Sequence, residues 1–260
     1  MELEGKVALV TGGGRGLGRA TAIALAESGA RVVVAARSVP EIDETARIIR
    51  QQYGVGRSMS VRADVTRERD VVEMFEAVRR RWGGVDILVN NAGSTGATKL
   101  ITSLSLREWQ QAIDANLTSA FLCTREALPD MAHRQWGRII NVSSDSASVP
   151  VPSMSPYSVA KAGVEHLTRL IAAEWGHAGV VAVALRPGVV DTRMQEEMRN
   201  RPPDEIPPEL RALYAAYKQR GLLIAPERPA AMIAALCTGR APDVNGRVLD
   251  AAELDSLVLR

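Results

Sequence analysis

The chain has 260 residues, 46% of them hydrophobic, and sets 32 basic side chains against 30 acidic ones for a formal net charge of +2. That length and apolar content suit one α/β domain spanning 1–260, and the near-balance of charge, with no long basic tract, leaves no electrostatic footprint for nucleic acid. The N-terminal MELEGKVALV has no basic segment leading into a long apolar run, and no stretch reaches the ~20 apolar residues of a membrane span, so the protein reads as soluble, cytoplasmic and without a membrane partner.

Short β-branched runs at Val7–Val10, Val32–Ala35, Met59–Val61, Ile87–Val89, Ile139–Val142, Val180–Leu185 and Val248–Leu249 predict strands, each too short to be an independent helix. Between them, apolar positions recur at helical spacing over Leu17–Ser28, Glu41–Tyr53, Glu68–Trp82, Leu106–Arg134, Ser155–Trp175 and Pro229–Leu236. Alternation of this kind predicts a Rossmann-type doubly wound parallel sheet of about seven strands with helices on both faces, because right-handed helical crossovers join parallel neighbours. The rhythm breaks from about 193 to 225, where Pro202, Pro203, Pro207 and Pro208 precede an apolar-spaced segment around Leu210, Leu213 and Tyr217. This stretch is expected to be an inserted helical flap, the kind of segment from which active-site lids are drawn. The two cysteines, Cys123 and Cys237, lie in apolar stretches and suit buried thiols, and His133, His166 and His177 show no ligand spacing, so no metal is implied.

The first strand runs into Thr11-Gly12-Gly13-Gly14-Arg15-Gly16-Leu17-Gly18 and then directly into a helix. Without Cβ atoms the backbone can turn tightly and approach a pyrophosphate, and a helix N-terminus offers unpaired N–H groups and the positive end of its dipole. A dinucleotide is the natural ligand, although the spacing differs from GxGxxG. At the end of the second strand, where a carboxylate would hydrogen-bond a ribose, the chain has Ala36, Arg37 and Ser38. A guanidinium there can pair with a 2′-phosphate, with Arg15 as a second cation, which favours NADP(H) over NAD(H).

Tyr157 and Lys161 stand four apart on one face of the helix over Ser155–Trp175. A free phenol has a pKa of about 10, and an adjacent ammonium favours the phenolate, so Lys161 is expected to lower Tyr157 into a useful range for proton transfer. YxxxK spacing is common by chance; its context is the strand Arg138–Val142, which ends in Ser143-Ser144 at the carboxyl edge of the predicted sheet. A Ser144 hydroxyl there can hydrogen-bond a substrate oxygen while the phenol gives or takes the proton.

With these residues assembled, the sequence resembles the short-chain dehydrogenase/reductase family from Lys6 to about Leu249. Thr11 to Gly18 is similar to that family's TGxxxGxG turn, Asn90-Asn91-Ala92-Gly93 to its NNAG signature, and Tyr157 with Lys161 to its YxxxK pair; Ser144 and Asn116 stand at the remaining tetrad positions. The resemblance implies that Tyr157 is the general acid or base, that Ser144 orients the carbonyl, and that Lys161 also binds the nicotinamide ribose. It implies further that Asn116 holds a water in a proton relay, that Asp64-Val65 contacts the adenine, and that Asn91, Ala92 and Gly93 lie against the cofactor. Pro187, Gly188, Val190 and Thr192 would pack on the nicotinamide and bond its carboxamide. The cofactor carries the hydride, and the protein supplies position and electrostatics.

The implied activity is hydride transfer between NADP(H) and a small carbonyl or secondary alcohol, as a ketoreductase or alcohol dehydrogenase. Small polar and apolar residues over Ser94–Lys99 and Asp145–Met154, with Met194, are expected to border a pocket for a modest neutral substrate, and Arg186 and Arg193 read as surface or structural. A catalytically silent dinucleotide-binding sensor or scaffold is the alternative, for which a broken tetrad is expected. Relatives assemble symmetrically, so a homo-oligomer, dimer or tetramer, is expected. The usual glycine-rich C-terminal ending is replaced here by Asp250-Ala251-Ala252-Glu253-Leu254-Asp255-Ser256-Leu257-Val258-Leu259-Arg260.

Overall fold

In a computed structural model, which describes residues 2–238, 243–251 and 253, the chain winds around one parallel sheet. Its strands are β1 (Val7–Thr11), β2 (Arg31–Ala36), β3 (Ser58–Arg62), β4 (Ile87–Asn90), β5 (Gly137–Val142), β6 (Val180–Arg186) and β7 (Val248–Asp250), in the order β3-β2-β1-β4-β5-β6-β7. The central strands read as unbroken apolar runs because both of their faces are covered. Alternate side chains serve opposite cores: Ala8 and Val10 join Val32, Val34, Val89 and Ile140 on one face, while Val7 and Leu9 join Val33, Leu88 and Ile139 on the other.

The first face is covered by α1 (Gly16–Glu27), α2 (Val39–Tyr53) and α9 (Glu227–Thr238), the second by α3 (Glu68–Trp82), α5 (Ser119–His133) and α6 (Ser155–Trp175). The local signals agree with these boundaries. α3 carries Glu68 and Asp70 in its first turn, Arg79, Arg80 and Arg81 in its last, and ends at Gly83 with φ +82°. α4 (Leu106–Ile113) begins with a reciprocal cap: the Glu108 N–H donates to the Ser105 hydroxyl at 3.2 Å, and the Ser105 N–H donates to the Glu108 carboxylate at 2.9 Å.

One expected helix is interrupted. The segment from Leu106 to His133 is helical throughout, but its middle, Asp114–Thr118, is a π turn between α4 and α5. Hydrophobic spacing reports which face is buried and carries no mark of one extra residue per turn. Cys123 and Cys237 are buried free thiols, and the three histidines lie exposed at the surface. No helix among the described residues is long and apolar enough to cross a membrane. The unusual C-terminal ending lies, from 254 onward, outside the described residues.

The interruption at 193–225 holds two helices, α7 (Arg193–Asn200) and α8 (Pro208–Gln219). Leu210 and Tyr214 from α8 and Met198 from α7 form a small apolar cluster with Met154 and Tyr157 of the sheet's carboxyl edge. The segment is pinned between its two helices and again on its return. Arg201 donates to the Gly96 carbonyl and the Thr98 hydroxyl, each at 3.2 Å, and to the Thr95 hydroxyl at 3.3 Å. On its return, the Ile224 N–H donates to the Val189 carbonyl at 2.9 Å and the Asp191 N–H to the Ile224 carbonyl at 2.8 Å.

Candidate active site

Strand order reverses at β1 and β4, whose following connections depart in opposite directions and leave a crevice beyond their carboxyl ends. A cleft of about 1400 Å³ occupies that crevice. It is bordered by Gly12, Gly14, Arg15, Gly16, Leu17 and Gly18, by Arg37, Ser38, Asp64 and Val65, by Asn91, Ala92, Gly93 and Asn116, and by Ser144, Tyr157, Lys161, Pro187, Gly188, Val190 and Thr192. The chain thus brings every residue expected in the tetrad and the cofactor site to one place.

The glycine turn is held by close approach. Gly12 and Gly16 have φ of +65° and +52°, and a Cβ at Gly18 would stand 2.2 Å from the Gly12 carbonyl oxygen and 2.5 Å from Asn91 Nδ2. Asn91 braces the turn from β4, donating through Nδ2 to the carbonyls of Thr11 at 2.9 Å and Gly12 at 3.3 Å, while the N–H groups of Asn91 and Ala92 both donate to the Thr11 hydroxyl at 3.1 Å. Arg19, one turn into α1, reaches back to the Gly14 carbonyl at 2.6 Å. The bracing by Arg19 and the side chain of Asn91 went unread in the sequence, because each bond joins positions that only the fold makes neighbours. α1 has no acidic residue in its first turn, so its own side chains put no anion against the N–H groups that face the crevice.

At the far end of the cleft, Arg37 is exposed and makes no ion pair or hydrogen bond with the described residues. Arg15 is partly engaged, with its guanidinium 3.4 Å from the Glu41 carboxylate. Burial works to raise the Asp64 carboxyl, but hydrogen bonds from the Thr66 hydroxyl and N–H, and the nearby Arg37 and Arg67, bring it below the usual carboxylate range.

At the deep end, Tyr157 and Lys161 are both buried, with Lys161 Nζ 5.7 Å from the centroid of the phenol ring. The ammonium donates to the Val142 carbonyl at 2.7 Å. The expectation that Lys161 lowers Tyr157 is corrected here: burial pushes the phenol up, a hydrogen bond with Ser144 pulls the other way, and Asp145 adds to the rise. Lys161 is itself brought down from the ordinary 10.5 to about 8 by burial. Ser144 Oγ accepts from the Ser146 hydroxyl at 3.1 Å and from the Ser146 N–H at 3.3 Å, which leaves its own proton for the Tyr157 oxygen or for an oxygen bound in the cleft. The Asn116 amide donates to the carbonyls of Ser94 and Ala112, both at 2.8 Å, and accepts from the Ser94 N–H at 3.3 Å. One lone pair on Oδ1 is the side chain's remaining capacity for a water.

The pattern of the family described as short chain dehydrogenase matches residues 6–203. The chain belongs to the short chain dehydrogenase family. Among the relatives of this dehydrogenase, a 3-oxoacyl-(acyl-carrier-protein) reductase of Aquifex aeolicus is 34% identical over 253 residues, 96% of each chain. The 3beta-hydroxysteroid dehydrogenase 1 of Eggerthella lenta is 37% identical over 250 residues, 95% of this chain and 92% of its own. Among solved structures, levodione reductase superposes with a TM-score of 0.87 at 27% identity, covering 99% of this chain and all of the other. The protein is accordingly an oxidoreductase acting on CH–OH and C=O groups, of a family that binds a nicotinamide dinucleotide. The crevice fits that group: its floor is a turn that a Cβ would block, its α1 end presents helix N–H groups with no acidic residue in the helix's own first turn, and the one carboxylate beside that turn, Glu41, is paired with Arg15.

The structure adds a roof to the dehydrogenase site. Of the expected border, Ser94, Gly96 and Ala97, then Asp145, Ser146, Val149, Val151, Met154 and Met194, line the cleft, the rest of Ser94–Lys99 and Asp145–Met154 do not, and Gln195, Leu213, Tyr214 and Tyr217 join from the flap. Tyr214 and Tyr217 stack edge to face at 5.8 Å, and the Tyr214 hydroxyl donates to the Met154 sulfur at 3.7 Å. Arg186 and Arg193 do not point into the cleft as free cations: Arg186 clasps Glu165 at 2.7 Å, and Arg193 pairs with Glu197 at 2.9 Å.

Two outcomes follow from this geometry. Gly18→Ala is expected to abolish dinucleotide binding, measured by fluorescence titration, because the turn must open to clear the Gly12 carbonyl. Lys161→Met is expected to stabilise the cofactor-free protein at pH 7. A lysine held near 8 rather than 10.5 binds fewer protons folded than unfolded, so its burial costs up to about 3 kcal/mol below pH 8. The advantage of Met over Lys, read as a difference in thermal midpoint, is largest below pH 8 and shrinks as pH rises toward the unfolded lysine's value, with loss of turnover throughout.

Proposed function

We propose that the protein is an NADP(H)-dependent oxidoreductase of small neutral ketones and their secondary alcohols, working as one 1–260 domain. The observation that carries the reading is the deep corner itself: a buried phenol beside Ser144, with a buried lysine one helical turn away and an open cleft that all three border. When bound, the nicotinamide supplies or accepts the hydride at the substrate carbon. The protein's residues handle the oxygen and its proton. Ser144 donates a hydrogen bond to the substrate oxygen and opposes the charge that develops there. Tyr157, whose burial keeps it protonated at neutral pH, donates its proton to that oxygen in reduction and receives it in the reverse direction. The Lys161 ammonium, having used one N–H on the Val142 carbonyl, retains two for the cofactor's ribose. Asn116 holds the Ser94 loop against the helix and offers Oδ1 to a relay water.

The preference for NADP(H) is supported by Arg37, an exposed guanidinium just past the end of β2 that makes no ion pair among the described residues, with Arg15 bordering the same cleft and no carboxylate at position 36. A neutral, largely apolar substrate suits the Met154, Tyr214 and Tyr217 wall. Two buried free thiols suit the cytoplasm, and half-exposed Phe121, Val159 and Leu170 along α5 and α6 suit a homo-oligomer. The intact tetrad speaks against a silent scaffold.

The test is a titration of the purified protein with NADPH and NADH, alongside Arg37→Ala. NADPH is expected to bind more tightly, and the variant to lose about 1.5–3 kcal/mol of that affinity, roughly ten- to a hundredfold in Kd, with NADH unchanged. Equal binding of the two cofactors by the wild type would overturn the NADP(H) assignment. Tyr157→Phe is expected to keep NADPH binding while losing at least about a hundredfold in kcat against a panel of ketones; retained turnover would remove Tyr157 from the mechanism.

A further inference from the structure

Glu165 lies on α6 one turn beyond Lys161, and only 6% of its side chain is exposed. It is held by three hydrogen bonds from two residues. The Ser143 hydroxyl donates to Glu165 Oε1 at 2.8 Å, and Arg186 donates through Nε to Oε1 at 2.7 Å and through Nη2 to Oε2 at 2.9 Å. The two parallel bonds from Arg186 are the fork that a guanidinium makes with a carboxylate and an ammonium cannot. The backbone closes the ring, because the Ser143 N–H donates to the carbonyl of Leu185, the residue before Arg186, at 2.7 Å.

This ring touches each part of the reaction corner, with Ser143 bordering the cleft and the Glu165–Arg186 pair behind it. Ser143 immediately precedes Ser144, and Arg186 immediately precedes Pro187 and Gly188. Lys161 and Glu165, stacked on one face of α6, grip consecutive residues at the end of β5, one through the Val142 carbonyl and the other through the Ser143 hydroxyl. Asp145 and Asp250 also face Arg186 and reinforce its charge. A pair used only to tie helix to sheet could sit at any level of α6. This one sits where the carbonyl-orienting serine and the segment starting at Pro187 both leave the sheet.

We infer that Glu165 is a positioning residue, which through Arg186 and Ser143 holds the Ser144 hydroxyl and the segment from Pro187 to Val190 in fixed relation to Tyr157 and Lys161. The inference rests on the reaction site proposed above. Its chemistry is reach: misplacing reacting groups by about 1 Å can cost on the order of a hundredfold in rate while leaving ground-state binding nearly intact.

The experiment compares Glu165→Gln, Arg186→Lys and the double variant with the wild type in the full chain. Measured quantities are thermal midpoint, NADPH Kd, steady-state ketone reduction, and amide hydrogen exchange at 143–146 and 188–190. Each single variant is expected to lower kcat about ten- to a hundredfold with KM and NADPH Kd within about threefold, and the double variant to fall no further than the worse single one, as members of one unit do. Exchange should quicken at both strand ends and stay unchanged in α1. Arg186→Lys keeps the charge and drops only the fork, so it carries the test if Glu165→Gln does not fold. Variants with a lower thermal midpoint but kcat within about twofold of the wild type and unchanged exchange would make the ring a structural tie and overturn the inference. A wild-type protein that binds neither cofactor would overturn the functional reading and the positioning role with it.

Discussion

Val10 of β1 and Val89 of β4 sit side by side where the chain's connections part, α1 turning to one face of the sheet and the segment after β4 to the other. That seam is the constraint on which the rest depends. Two strand ends with departing connections leave backbone exposed to a ligand, and the space between them is tight enough that the β1 turn must pass against Asn91 with no side chain at Gly18. The Thr11 hydroxyl, donating to the Val89 carbonyl at 3.3 Å and accepting from two N–H groups of the β4 end, ties both lips together. The glycine turn is therefore a rigid ledge, set by neighbours across the seam as much as by its own glycines.

The reaction corner hangs from the next strand over. β5 is bound to α6 through a buried chain in which Asn90 donates to Asn141 at 2.8 Å and Asn141 to Thr168 at 2.9 Å, and through Lys161 and Glu165 nearer the carboxyl edge. Each such bond contributes about 0.5–1.5 kcal/mol net, but a buried partner left alone costs more, so their greater effect is to forbid other registers of helix on strand. A helix free to slide could not hold a phenol and a serine hydroxyl within hydrogen-bonding reach.

Much of this could be read from the sequence because its signals are local. Val7–Val10 and Ile139–Val142 are β-branched runs bounded by turn residues, the glycine turn is contiguous, and Tyr157 and Lys161 share a helix face by spacing alone. What could not be read depends on contacts between distant segments. The behaviour of Tyr157 turned on its burial and on where the Lys161 ammonium points, and the Val142 carbonyl, nineteen positions away, accepts a hydrogen bond from that ammonium. The roof of Tyr214 and Tyr217 needed the flap's return path, set by Arg201 on the loop after β4 and by Ile224 against Val189. Glu165 looked like one more helix carboxylate until the fold placed Arg186 and Ser143 against it.

The π turn at Asp114–Thr118 carries Asn116, whose amide joins Ser94 to Ala112. Such a turn holds one residue more than the helix on either side. Removing that residue would let the helix regularise and would rotate everything before it by about 100° relative to α5. The amide would swing off the Ser94 loop and the capped start of α4 would leave its place at the mouth of the cleft. Evolutionary drift in chain length is accordingly open to the surface turn around Val55, which is almost wholly exposed, and closed at 114–118, where a gained or lost residue re-aims a helix instead of lengthening a loop.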